Sequence, residues 1–288
     1  MIAGGAMSAP IVVGTDGSAA ADRAVDWAAG EAALRHRPLR IVHAAEIWPY
    51  QVRRFDPPDE AGRSSPAGHA VLLEAESRVL ERRPDLRVTT ALAVNATADA
   101  LRDEADKAFE LVLGHRGHGG FAGLRLGSVG LRMAGRTAVP LVIVRGAPGG
   151  GEVVVGYDVA EEPGEALRYA FEAAAVRGAR LRVVHAWRLS VDLAEAGYAI
   201  DEERLNDERR ARVIEAYAPL HERYPLVDVA NDVLVGHPVS ELTRMSRTAA
   251  LVVVGAHPHR WGLFRLGSVG HGVIHHAECP VAVVPAPR

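Results

Sequence analysis

Arg125-Leu126-Gly127-Ser128-Val129-Gly130 returns letter for letter as Arg265-Leu266-Gly267-Ser268-Val269-Gly270, 140 positions further along the chain. Outward from that pair, Val13-Gly14-Thr15-Asp16 matches Val155-Gly156-Tyr157-Asp158, His43-Ala44 matches His185-Ala186, and Gly114 matches Gly255. Ala24, Val25 and Ala28 meet Ala166, Leu167 and Ala170 at nearly the same spacing. A solenoid repeats every ~20–50 residues, so this period marks a duplicated domain instead. The copies are expected over residues 9–146 and 151–286, joined by the glycine and proline linker Gly146–Gly151. The matched pieces are glycine-rich turns, which points to a duplicated site.

Each copy alternates short apolar runs with helical patterns. In the first, strands are expected at Ile11–Val13, Leu39–Ala44, Arg87–Val94, Leu111–Leu113 and Pro140–Val144. Helices are expected at Ala19–Arg35, Val71–Arg82, Ala98–Phe109 and Ser128–Arg136, with a loop from Glu46 to Gly68. The second cycle has strands at Val153–Val155, Arg180–Ala186, Val227–Val235, Leu251–Val254 and Val281–Val284, and helices at Gly164–Val176, Asp201–Tyr217, Val239–Thr248 and Ser268–His276. Continuously apolar strands between helices indicate a parallel sheet covered on both faces. The fold class is therefore α/β, with two tandem doubly wound, Rossmann-like domains.

Composition excludes several function classes. With 288 residues, 48% hydrophobic and a net charge of −3, the chain is globular and gives no electrostatic case for nucleic acid or an anionic membrane. No apolar run approaches the ~20 residues that span a bilayer, and the first ten residues lack the basic start of a secretory signal. Cys279 is the single cysteine, so an internal disulfide is excluded, and the cytoplasm is the expected compartment. Lys107 is the single lysine and no Gly-Lys pair exists, which excludes a P-loop.

In doubly wound sheets, ligands bind beyond the carboxyl ends of the strands near the switch point. Gly114-x2-Gly117-x9-Gly127-Ser128 leaves the fourth strand and begins the last helix. Gly114 and Gly117 let main-chain N–H groups come close to a ligand. Gly127 and Ser128 present free amides and a positive helix end, an arrangement suited to phosphate. The plainer alternative is that these glycines only build tight turns, with Ser128 as an ordinary helix cap.

The spacing Gly-x2-Gly-x9-Gly-Ser, the opening Val-Val-Gly-Thr-Asp-Gly-Ser and the ending His276-Ala-Glu-Cys-Pro-Val-Ala-Val-Val resemble the ATP-binding universal stress protein family, in its tandem-domain form. The resemblance implies an adenine-nucleotide α-hydrolase-like fold that binds ATP; the charge of the phosphates, not the resemblance, suggests an accompanying Mg²⁺, and the sequence leaves that requirement open. It places Asp16 and the main chain near Gly14 and Ala44 against adenosine, and Gly114, Arg116, Gly117, Gly127, Ser128 and Val129 around ribose and phosphates. The matching second-half positions are Gly156, Asp158, Ala186, Gly255, Gly267, Ser268 and Val269. Such proteins act as nucleotide-responsive regulators in stress adaptation or dormancy, commonly as homodimers, and here the two halves could form an internal pseudo-dimer. A nucleotide-free interaction module and a slow ATP hydrolase are the alternatives. No catalytic residue is assigned, because no second carboxylate or nucleophile recurs beside both aspartates.

The second loop departs from this pattern. It is one residue shorter, and Pro258 stands where the first has its second glycine, removing an N–H and fixing φ. Gly156-Tyr157-Asp158 also lacks the following Gly-Ser. The N-terminal site is therefore expected to be the better formed.

Other patterns weigh less. Gly117-x-Gly119-x-x-Ala122 matches a dinucleotide fingerprint but follows the fourth strand rather than the first. His271 and His275 have metal-ligand spacing without the companion glutamate or a third ligand, so no metal site is assigned. His43 and His185 read as partly buried histidines with local partners, Arg125 and Arg265 as either phosphate contacts or surface side chains, and Cys279 as a buried thiol.

Overall fold

A computed structural model describes residues 8–44, 65–93, 96–117, 126–146, 151–162, 164–188, 201–256 and 266–286. The chain divides into two compact units between Arg145 and Gly146.

The first unit runs β1 (Ile11–Gly14), α1 (Ala19–Leu34), β2 (Leu39–Ala44), α2 (Pro66–Arg82), β3 (Val88–Ala93), α3 (Thr97–Ala105), β4 (Glu110–Gly114), α4 (Ser128–Met133) and β5 (Leu141–Val144). Its strands lie in the order β3-β2-β1-β4-β5, and every pairing among them is parallel. The order reverses between β1 and β4. α1 packs on α2 and α3 on α4, as right-handed crossovers on opposite sides of the switch point require. Ile11, Val12 and Val13 of β1, which lies between β2 and β4, are apolar and buried, the signature of a central parallel strand.

The second unit repeats the plan with β6 (Val153–Gly156), α5 (Glu165–Arg177), β7 (Leu181–Trp187), α6 (Glu202–Arg223), β8 (Val229–Val235), α7 (Pro238–Met245), β9 (Leu251–Ala256), α8 (Ser268–His276) and β10 (Val281–Pro285). The order is β8-β7-β6-β9-β10, again parallel throughout. Here the switch point falls between β6 and β9.

Alanine is what lets α1 lie close to its sheet. Ala20, Ala21, Ala24, Ala28, Ala29 and Ala32 form its buried face, and the Ser18 side chain accepts from the Ala21 N–H to cap it. Sequence expectation and structure differ at several ends. α2 begins at Pro66, inside the expected loop, because Ser65 caps it and proline suits the first helical turn. α3 stops at Ala105, after which Phe109 N–H donates to Pro10 O and the chain is already bound for β4. α4 stops at Met133, and Gly135 follows with φ 71°. α6 continues past Tyr217 through Pro219 to Arg223. Tyr217 and Tyr224 lie on either side of that proline and both pack on Phe171, at 6.2 and 6.1 Å between ring centroids, which holds the helix across the break.

Candidate functional site

In both units the expected site residues sit at the carboxyl ends of the two strands flanking the switch point. In the first unit, Asp16 heads a tight turn after β1. Its Oδ1 accepts from the Ser18 N–H at 3.0 Å, Thr15 Oγ1 accepts from the Gly17 N–H at 3.2 Å, and Gly17 has φ 78°. The exit of β4 closes on this turn. A Cβ on Gly117 would collide with Asp16 Oδ2 and lie 3.3 Å from its Cγ, so the main chain at Gly117 runs directly over the carboxylate. Gly127 N–H donates to His115 O at 2.8 Å, and a Cβ there would lie 3.6 Å from Arg116 Cα. Asp16, Gly114, Arg116, Gly117, Gly127 and Ser128 are thereby brought together. Val129 follows Ser128 in the first turn of α4. Ala44 ends β2 beside them, where His43 Nδ1 meets Thr15 O at 2.8 Å and ties that strand end to the aspartate turn. Because a carbonyl only accepts, the His43 proton is on Nδ1.

Three arginines surround this end. His115 is pushed below its ordinary pKa chiefly by burial, and further by the charges of Arg145, Arg116 and Arg23. His115 has no counterpart in the repeat, since Ala256 occupies the matching place, and a search for recurring residues therefore passes over it.

The second unit encloses a cavity of about 650 Å³, and all seven expected residues, Gly156, Asp158, Ala186, Gly255, Gly267, Ser268 and Val269, line it. That volume is within the ~300–1,000 Å³ range of small-molecule sites. Leu167, Leu242, Val254 and Val284 supply apolar wall, while Tyr157, Asp158, Glu161, Glu162, Glu165 and His185 supply polar groups. Asp158 Oδ1 accepts from the Ala160 N–H at 3.0 Å, repeating the Asp16 turn although Gly-Ser is missing after it. His185 Nδ1 meets Tyr157 O at 3.1 Å, as His43 does in the first unit, and burial pushes this imidazole below its ordinary pKa. The Tyr157 phenol is pushed up, by burial first and then by Asp158, and donates to Glu161 O.

Several sequence readings change on this geometry. The cap of α4 is Gly127 and that of α8 is Gly267, so Ser128 and Ser268 are first helical residues whose hydroxyls make no capping bond. The glycine at Gly14 has a packing reason, because a Cβ would lie 2.7 Å from Leu113 Cδ2, and Gly156 likewise faces Leu242. The carboxylates Glu161, Glu162 and Glu165 were not anticipated. Their signal is the repeat itself: 142 positions earlier stand Ala19, Ala20 and Arg23. Cys279 is buried against Pro280 O. The His271 and His275 rings lie 4.6 Å apart, tilted by 52°, and among the described residues no group of three His, Cys, Asp or Glu is placed to hold a metal ion. No helix among them is long and apolar enough to cross a membrane. Gly119, Ala122, Arg125, Pro258 and Arg265 lie outside the described residues.

Comparison with known proteins gives a consistent result. The universal stress protein family model matches twice, over residues 7–145 and 151–285. A universal stress protein of Mycobacterium tuberculosis is 33% identical over 288 residues, 95% of this chain and 96% of its own. The crystal structure of a universal stress protein from Archaeoglobus fulgidus shares the fold at 17% identity with a TM-score of 0.70, covering 96% of this chain and 99% of that one. A crystal structure of a universal stress protein in complex with cAMP matches 49% of this chain and 99% of its own at 33% identity, with a TM-score of 0.38.

Proposed function

This chain belongs to the universal stress protein family, and we propose that it is an adenine-nucleotide-responsive regulator that takes ATP at the strand ends of its first unit. One observation carries the reading: the main chain at Gly117 passes over the Asp16 carboxylate while Gly127 N–H is fixed to His115 O, so that an aspartate, a glycine exit and a helix N-terminus converge on one point. Asp16 faces the nucleoside in this reading, and Gly14 and Ala44 present main chain to it. The amides at Gly127, Ser128 and Val129 face phosphate, where backbone donors and the helix end favour an anion. Arg116 adds charge, with Arg23 and Arg145 nearby. Where phosphates collect, Mg²⁺ accompanies them, held by the phosphates and water more than by protein.

Regulation fits better than turnover, because among the described residues no second carboxylate recurs beside Asp16 and Asp158, and the recurring His43 and His185 are engaged through Nδ1 with the Thr15 and Tyr157 carbonyls. Occupancy in this reading reports on nucleotide through stability, since a ligand that binds only the folded state stabilises it. The test is nucleotide content of freshly purified full-length protein followed by calorimetric titration with ATP. Binding of at least one ATP per chain is expected. Absence of both carried-over and added nucleotide would refute the reading and favour a module that works by association alone.

A further inference from the structure

His43 holds the peptide bond that precedes Asp16. Its Nδ1–H donates to Thr15 O at 2.8 Å, and that oxygen belongs to the Thr15–Asp16 peptide group. A peptide group is planar, so fixing its oxygen also fixes the Asp16 N and Cα, and with them the direction in which the carboxylate leaves the chain. Thr15 is held at its other main-chain group too, since its N–H donates to Val42 O at 2.9 Å. The residue before the aspartate is thus clamped at both ends by the close of β2. The opposite edge of the imidazole lies under the first turn of α2, where a Cβ on Gly68 would come within 3.1 Å of His43 Cδ2. That helix also reaches the turn directly, because a Cβ on Gly17 would lie 3.2 Å from Val71 Cγ2. The second unit repeats the clamp: Tyr157 N–H donates to Val184 O at 2.9 Å, and His185 Nδ1–H donates at 3.1 Å to Tyr157 O, in the peptide group that precedes Asp158. The acceptor residue is threonine in one copy and tyrosine in the other, yet the tie is the same because it is made to main chain.

We propose that His43 is a positioning residue of the nucleotide site, whose Nδ1–H sets the peptide plane ahead of Asp16 so that the carboxylate meets the nucleoside. It acts through that plane rather than on the ligand. The proposal rests on the nucleotide reading above. A binding constellation has to be held within about 0.5 Å and 10–20° of its working geometry. With Thr15 O released, the plane is free to rotate and carries with it the turn in which Ser18 N–H donates to Asp16 Oδ1 and Gly17 N–H to Thr15 Oγ1. The main chain at Gly117 runs directly over Asp16 Oδ2, so a rotated carboxylate also loses its register with the exit of β4.

The experiment separates the donor from the bulk of the ring in the full-length chain. His43→Asn keeps an N–H donor close to the place of Nδ1 with less volume, whereas His43→Leu keeps much of the volume with no donor. By ATP calorimetry, His43→Asn should bind within about twofold of wild type and His43→Leu roughly fivefold or more weakly, the worth of one neutral hydrogen bond. His43→Ala, which removes the donor and adds no bulk, should behave as His43→Leu. A cooperative urea transition in each variant shows that it is folded at the temperature of the titration. Amide hydrogen exchange on ligand-free protein reads the tie without nucleotide: Gly17 and Ser18 N–H should exchange faster in His43→Leu than in wild type, and at the wild-type rate in His43→Asn. Wild-type affinity in both donorless variants, equally weak binding in His43→Asn and His43→Leu, or unchanged exchange at Gly17 and Ser18 would each overturn the proposal and leave the nucleotide reading standing. A wild-type chain that binds no ATP would remove both.

Discussion

Gly114 and Gly117 are three residues apart at the exit of β4, and alanine at each should act on a different property. At Gly114 the new Cβ would lie 2.7 Å from Ala20 O, 2.8 Å from Ala20 C and 3.0 Å from Ala21 N. All three atoms are main chain in the first turn of α1, so no side chain can swing aside and the helix must move off β4. Overpacking of that kind costs about 1–3 kcal/mol, and a domain of this size loses about 3 °C of Tm per kcal/mol. At Gly117 the new Cβ meets only the Asp16 carboxylate, which can rotate away at the cost of its 3.0 Å hydrogen bond from Ser18. That bond is part-exposed, so stability should fall by no more than about 1 kcal/mol. Nucleotide binding should suffer more, since an Asp16 turned from its place forfeits a charged hydrogen bond of about 1.5–3 kcal/mol, or roughly 10- to 150-fold in affinity. Urea denaturation and ATP calorimetry on both variants separate the effects: Gly114→Ala should be less stable, with its loss of binding traceable to unfolding, and Gly117→Ala nearly as stable but weak in binding. If Gly117→Ala binds ATP as well as wild type, the contact with Asp16 is turn construction and the first site is misassigned.

Ser128→Ala should leave ligand-free stability within about 0.5 kcal/mol, because Gly127 is the cap; a loss near 1 kcal/mol by denaturant titration would show a capping role after all. Buried His185 and half-buried His115 have folded pKa values below their ordinary ones, so the unfolded chain binds more protons and unfolding free energy should fall as pH drops below about 6.5. His185→Asn should flatten that slope between pH 7.5 and 5.5, and an unchanged slope would assign it to other groups. Arg182 bridges Glu152 on one side and Asp232 on β8, at 2.5 and 2.8 Å, and these partners raise its pKa. Since the group is partly exposed, Arg182→Met should cost only about 1 kcal/mol, less in high salt, as read by thermal melts.

The fold was legible because its signals are local and repeated. Short apolar runs marked the central strands, the polar-bearing β3 and β8 followed from the alternation with helices, and the duplication supplied each strand twice. What escaped were ends decided by partners outside the segment. The expected helix ends at Tyr217, yet α6 runs on through Pro219 to Arg223, where Tyr217 and Tyr224 both grip Phe171, a contact that exists only once the unit is folded. Pro66 reads as loop, yet Ser65 ahead of it converts it to a helix start. At the site, glycines and aspartates were legible from spacing, whereas the charge lining was not. A repeat search finds what two copies share, and Glu161, Glu162 and Glu165 are informative because the copies differ there.

That difference also limits what repetition can say about function. Much of the identical hexamer has a packing reason: a Cβ on Gly130 would press Leu126 Cδ1 at 3.2 Å, and one on Gly270 would press Leu266 Cδ1 at 2.6 Å. Arg40 and Arg182 are also 142 positions apart, yet the first pairs with Glu104 and the second with Glu152 and Asp232. Gly14 and Gly156, like Gly130 and Gly270, have this reason in both copies, because a Cβ there presses a leucine side chain whatever ligand is present. Side chains that face open space carry no such constraint and can diverge between the copies without a cost in packing.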